Sequence, residues 1–128
     1  MEASGQTRKD SRRQDRVELG FLEGVRRRIG DEPGLLKALG DLYTKVGRLE
    51  EGLVVDRKLA RLCPGESLVW YNLGCSYALT QQPRKAIAAL ARAVKLGYRD
   101  AEWMRRDADL RSLHPEERFR ALLREMQE

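Results

Sequence analysis

Side chains capable of covalent or metal chemistry are few in this chain: one histidine, His114, and two cysteines, Cys63 and Cys75. A structural zinc site takes four cysteine or histidine ligands, and these two cysteines do not form a closely spaced pair. No serine or cysteine stands at motif spacing from a base, and no glycine-rich phosphate loop occurs. We therefore expect no enzyme activity, no metal and no cofactor, with both thiols reduced.

Basic residues are the other group with possible chemistry, because they could bind nucleic acid. The formal net charge is +5, and part of it lies before residue 17. Arg26, Arg27 and Arg28 follow one another, so on a helix they point in different directions and form no single patch. No aromatic residues for base stacking accompany the basic ones near the N-terminus. Nucleic acid is therefore not the expected partner.

Membrane insertion and secretion are also not expected from the sequence. The basic N-terminus is not followed by the apolar stretch of a signal peptide. No window approaches the roughly 20 apolar residues of a spanning helix. We predict a cytoplasmic protein without a membrane partner.

Helices are the elements that must position any site in this chain. Residues 1–15 are polar and highly charged, and we expect them to form a disordered basic tail. Over residues 16–128 the apolar residues recur at helical spacing, and no useful length alternates with period two. Pro33, Pro83 and Pro115 stand where helices are expected to begin. The pattern predicts an all-α chain without a sheet.

A repeat organises the middle of the chain. The segment LGDLY at residues 39–43 recurs as LGCSY at residues 73–77, which is an offset of 34 residues. A period of this length is typical of helix-turn-helix solenoids. The register gives one repeat over residues 33–66 and a second over residues 67–100.

On these residues the chain resembles tetratricopeptide repeat proteins. The family has characteristic large, leucine, small, tyrosine and small residues at fixed positions of each repeat. Here they are Leu36 and Trp70, Leu39 and Leu73, Gly40 and Gly74, Tyr43 and Tyr77, and Gly52 and Ala86. The resemblance implies a short α-solenoid, with residues 16–32 as a degenerate half-repeat helix and residues 101–128 as a C-terminal cap. It also implies that Gly40 and Gly74 permit close helix packing, and that Trp70 fills space between neighbouring helices.

One position departs from the family pattern. Asp56 stands in the first repeat where a large apolar residue is usual, whereas the second repeat has Leu90 there. A half-buried Asp56 would need a partner such as a tyrosine hydroxyl or an arginine. The orientation of the second helix of the first repeat therefore stays open.

The resemblance further implies a concave wall formed by the first helix of each repeat. Lys37, Asp41 and Lys45 lie one turn apart on the first of these helices. On the second, Tyr71 is the expected aromatic anchor. The predicted peptide-binding groove comprises Lys37, Asp41, Lys45, Tyr71, Asn72, Cys75, Leu79, Arg105 and Arg106.

Some tetratricopeptide domains clamp a C-terminal carboxylate, and this chain is similar to them at Lys37, Asn72 and Arg106. Asp41 and Glu102 differ from that pattern and would repel a carboxylate. We therefore predict a looser groove, and a scaffold that binds a peptide or protein partner. Two alternatives stay open. One is a self-associating structural module, because two repeats are fewer than the usual minimum of about three. The other is an accessory protein that touches nucleic acid through its tail.

Overall fold

The computed structural model describes the backbone of residues 2–127 and the side chains from Ser11 to Gln127. The described residues form seven α-helices and one 3-10 helix. In order they are α1 (Glu2–Ile29), α2 (Pro33–Lys45), α3 (Leu49–Leu62), α4 (Ser67–Leu79), α5 (Pro83–Lys95), α6 (Ala101–Arg106), the 3-10 helix (Ala108–Leu113) and α7 (Glu117–Gln127). No strand occurs among the described residues, which confirms the prediction of an all-α chain.

The N-terminal segment differs from the sequence-based prediction. Residues 1–15 are expected to form a disordered tail, whereas α1 begins at Glu2, and residue 1 lies outside the described part of the chain. Leu19 anchors this helix to the core with 2% of its surface exposed. Arginine and glutamine are good helix formers and no proline interrupts the segment, so the helix can continue towards the N-terminus. Residues 11–14 are exposed, as their composition predicts.

Short turns join the helices of each hairpin. Before α2, the Glu32 carboxylate accepts hydrogen bonds from the backbone N–H groups of Gly34 and Leu35 at 3.0 and 2.8 Å. These two bonds cap the helix and lower the pKa of Glu32. Between α2 and α3, Gly47 has a φ of 83°, a conformation that glycine adopts without strain. Proline and glycine therefore act at the helix ends, as the sequence predicted.

Each helix from α1 to α4 packs against the next one along the chain. The 3-10 helix packs on α4, and α7 packs on α5 and α6. The core has two parts. The first surrounds Leu36 and Leu39, and the second surrounds Leu90 and Phe119. The partly buried side chains of Trp70 and Tyr77 pack against both parts. The two parts are therefore joined through α4.

Close packing of α4 on α5 depends on Gly74. A Cβ atom at this position would lie 2.7 Å from Cγ and Cδ2 of Leu90 and 3.3 Å from the backbone oxygen of Ala86. Such a distance is too short for ordinary van der Waals contact. At the corresponding position in the first hairpin, a Cβ on Gly40 would lie 2.7 Å from Oδ1 of Asp56. The close approach predicted at both glycines is present.

Replacing Gly74 with leucine should lower the free energy of unfolding by roughly 1–3 kcal/mol, because the side chain would overpack the α4–α5 contact. Urea denaturation measures the change. Gly20→Leu is the matched control, since nothing lies within 4 Å of a Cβ at Gly20 in α1. Equal stability of Gly74→Leu and the wild type would contradict the assigned packing.

Candidate functional site

An open cleft of about 310 Å³ lies between α2, α4 and the segment that carries α6 and the 3-10 helix. We call it the central cleft. Helices α2, α3 and α4 contribute lining residues, as does the segment with α6 and the 3-10 helix. The residues that line it are Gly40, Asp41, Thr44, Lys45, Asp56, Tyr71, Asn72, Cys75, Ser76, Leu79, Trp103, Asp107 and Asp109. The first helix of each proposed repeat, α2 or α4, therefore lines the same cleft.

Six of the nine residues predicted for the groove line the central cleft. They are Asp41, Lys45, Tyr71, Asn72, Cys75 and Leu79. Lys37 instead lines an adjoining cleft of about 400 Å³, which also includes Asp41 and Asn72. Its ammonium lies 3.3 Å from a carboxylate oxygen of Glu66. We call this second space the side cleft.

The prediction was wrong for Arg105 and Arg106. Both guanidinium groups form ion pairs with Glu102, and neither residue lines the central cleft. The prediction extended the repeat register into this helix, but α6 ends at Arg106 after six residues. Trp103 reaches the central cleft from this helix instead, with 58% of its surface exposed.

Tyr71 does not serve as an exposed anchor, contrary to the prediction. Only 4% of its surface is exposed, and its ring stacks on that of Tyr98 with 4.7 Å between centroids. Its hydroxyl donates a hydrogen bond to Oδ2 of Asp107 at 2.7 Å. Residues beyond the second hairpin therefore cover Tyr71. This hydrogen bond joins Tyr71 to Asp107 at the wall of the cleft.

Asp56 is buried at the floor of the cleft, with 7% of its surface exposed. A tyrosine or an arginine was the expected partner, but the actual partner is the Ser76 hydroxyl, which donates to Oδ2. Burial raises the pKa of Asp56 to about 6, against the opposite effect of this hydrogen bond. The negative charge of Asp41 raises the pKa further.

Cys75 forms a compact group with two aspartates. Its sulfur lies 3.8 Å from Oδ2 of Asp107, and its sulfur and one carboxylate oxygen each of Asp107 and Asp109 lie within 4.8 Å of one another. These are the potential metal ligands that the described residues bring together. Burial and the neighbouring carboxylates raise the pKa of the Cys75 thiol, so it is protonated at neutral pH and is a weak nucleophile. Burial also raises the pKa of Asp109, and Asp107 adds to this effect.

The remaining residues with possible chemistry lie elsewhere. His114 is exposed, and its Nε2 is 3.0 Å from the backbone oxygen of Arg105. Cys63 is partly exposed, and both cysteines are free thiols. Neither Cys63 nor His114 lines the central cleft.

Charge pairing differs between the cleft and the outer surface. On the outside, carboxylates such as Asp31, Glu51 and Glu117 form ion pairs with arginine or lysine. In the cleft, none of the four aspartates forms an ion pair within the described part of the chain, and Lys45 is the single basic lining residue. The cleft is therefore negative on a chain whose net charge is +5.

Seven lining residues were not predicted as part of the site: Gly40, Thr44, Asp56, Ser76, Trp103, Asp107 and Asp109. One sequence feature could have indicated Trp103: it is a large aromatic residue in a short, highly charged segment, where an exposed aromatic side chain can mark a binding surface. Asp107 precedes the 3-10 helix and Asp109 lies in it, and only the packing of this segment on α4 shows that they reach the cleft.

Comparison with known proteins gives limited similarity. The chain is 33% identical over 89 residues to a chloroplastic protein from Arabidopsis thaliana. The matched stretch covers 67% of this chain and 27% of that protein, so the chain spans about a quarter of the relative's length. No protein family model matches the chain, and no solved structure matches it. Among the helices described, none is both long and apolar enough to cross a membrane.

Proposed function

We propose that this protein is a small scaffold of tetratricopeptide type, which binds an extended segment of another protein in the central cleft. One observation carries the proposal. Residues on α2 and α4, predicted as one wall from a shared repeat register, line the same open space. We further propose a cytoplasmic location and no catalytic role for the cleft.

The arrangement of the hairpins supports the tetratricopeptide assignment. α2 begins at Pro33 and α4 begins at Ser67, which is one period of 34 residues. Each hairpin has a glycine, Gly40 or Gly74, where its two helices approach closely. These features agree with the residue pattern on which the resemblance rests.

The shape of the surface favours a peptide over a small metabolite. The side cleft and the central cleft share Asp41 and Asn72, so together they follow α4 from Leu68 to Leu79. This length of helix is about 16 Å, which matches about five residues of extended chain. Asn72 is exposed and can donate to and accept from a peptide backbone. Leu68 and Trp103 are exposed apolar surfaces at either end.

Self-association is a second candidate function, and one observation favours it. Val17 and Phe21 lie one turn apart on α1, with 69% and 67% of their surfaces exposed. A second copy could cover them. Size measurement at several protein concentrations, with Val17→Ser/Phe21→Ser as the variant, separates this function from partner binding.

The test of the proposed function is a peptide-display selection with the wild-type protein, followed by titration of the selected peptides. Asn72→Ala/Leu79→Ala should weaken binding by about tenfold or more. The control is Ala88→Ser, which changes an exposed residue in the groove between α5 and α7. Deletion of residues 1–15 tests the basic segment. Unchanged binding by the cleft variant, with loss on the deletion, would contradict the proposal.

A further inference from the structure

The unpaired aspartates of the central cleft need a physical explanation. A carboxylate in a partly buried position costs free energy unless hydrogen bonds or an opposite charge stabilise it. Asp107 and Asp109 are half-buried, and Asp41 is exposed at the rim. Lys45 lines the cleft too, but it forms no ion pair with any of them in the described part of the chain. Hydrogen bonds from the Tyr71 hydroxyl and the backbone N–H of Asp109 stabilise the Asp107 carboxylate, but no ion pair among the described residues balances the charge of the cleft aspartates.

Asp56 provides an independent observation at the floor of the same cleft. Of its two carboxylate oxygens, Oδ2 accepts the Ser76 hydrogen bond, and Oδ1 has no donor among the described residues. The side chain is more than nine-tenths buried and lines the cleft. Oδ1 is not fully enclosed, so a cationic donor in the cleft would bond to it and balance the charge.

Trp103 adds a surface of matching chemistry. Its indole is largely exposed beside the aspartates. The face of a tryptophan ring attracts a guanidinium or ammonium group, and the alkyl stem of lysine or arginine packs on aromatic surface. An indole beside carboxylates therefore suits both parts of a long basic side chain.

We propose that the partner segment in the central cleft is basic, and that a lysine or arginine side chain enters between Asp41, Asp107 and Asp109 and packs on Trp103. This inference rests on the proposed function, because it names the chemistry of the same partner. The side cleft, where Lys37 already pairs with Glu66, then holds the neighbouring uncharged part of the segment.

The net charge of the chain makes this inference testable with simple probes. Because the whole protein is positive at +5, nonspecific attraction does not favour a cationic peptide. The probes are two labelled short peptides of glycine and serine that differ at two positions, with arginine in one and neutral citrulline in the other. Fluorescence anisotropy gives their affinities at about 50 and about 300 mM NaCl.

The arginine peptide should bind about tenfold or more tightly than the citrulline peptide, and higher salt should weaken its binding. Asp41→Asn/Asp109→Asn should remove most of this preference. The matched control is Glu116→Gln/Glu125→Gln, which removes the same charge from the groove between α5 and α7 and should leave the affinity within about twofold.

Three outcomes would overturn the inference. The first is equal affinity for the arginine and citrulline peptides. The second is loss of binding in the Glu116/Glu125 control but not in Asp41→Asn/Asp109→Asn. The third is tight binding of calcium or zinc alone at the aspartates, with no binding of the arginine peptide. Where neutral peptides from the display selection still depend on Asn72 and Leu79, the proposed function stands and only the basic character of the partner is wrong.

Discussion

Replacing Asp56 with asparagine is expected to stabilise the protein by about 2 kcal/mol at pH about 7.5. The folded-state pKa is raised from 3.8 to about 6, chiefly by burial. At a pH between these two pKa values, Asp56 is mostly protonated in the folded protein and mostly ionised in the unfolded chain. The stability associated with Asp56 is therefore greatest below the unfolded pKa and is lost as the pH rises through about 6. Asparagine is neutral throughout and keeps an oxygen for the Ser76 hydroxyl.

Urea denaturation from pH about 4 to about 7.5 tests this expectation. The difference between wild type and Asp56→Asn should grow with pH and level off above pH about 6 to 7. Glu125→Gln is the control, because it removes a negative charge from an exposed position that does not line the central cleft. The expectation would be contradicted if the difference in free energy of unfolding did not change with pH. It would also be contradicted if Asp56→Asn were less stable than the wild type at neutral pH.

Truncating Trp70 to alanine should lower the free energy of unfolding by about 3 kcal/mol, the lower end of the range for core aromatics. The indole packs against both parts of the core, and its Nε1 donates to the backbone oxygen of Pro64 at 2.9 Å. The Arg92 guanidinium lies 5.7 Å from the ring centroid. The ring is only partly buried, which places the effect at the lower end.

Trp103 is the natural control for Trp70, because it is the second tryptophan and its side chain is largely exposed. Trp103→Ala should change stability by less than about 1 kcal/mol. Fluorescence separates the two residues as well. Emission from Trp70 in a Trp103→Phe variant should be at shorter wavelength than emission from Trp103 in a Trp70→Phe variant. If Trp70→Ala and Trp103→Ala lowered the free energy of unfolding equally, the packing described for Trp70 would be contradicted.

The repeat register predicted the parts of the fold that depend on local spacing. Gly40 and Gly74 lie at close helix contacts because the same small residue recurs after one period. The register also identified which residues of α2 and α4 face the cleft, as Asp41 and Asn72 illustrate. Helical geometry fixes the face on which a side chain lies, and this information is present in the sequence alone.

Burial within the cleft was not predictable in the same way. Tyr71 lies on the predicted face, but Tyr98 and Asp107 cover it from outside the first helix of the repeat. Their position depends on how the chain turns after α5, where the repeat pattern fades. Arg105 and Arg106 lie outside the cleft for the same reason, since the repeat register does not continue into α6. Two of the four aspartates in the cleft, Asp107 and Asp109, come from this irregular segment.

The two halves of this protein are not independent modules, because α4 supplies side chains to both parts of the core. Trp70 and Tyr77 are the shared residues. Cutting the chain in the turn at Pro64 and Gly65 would remove Val69, Leu73 and Ala89 from the core of the first half and would expose these side chains on the second half. Amide hydrogen exchange should then report one cooperative opening across α2 to α5, without a stable half. In evolutionary terms, a hairpin could be duplicated or exchanged only together with residues such as Trp70 and Tyr77, which pack it against the neighbouring hairpin.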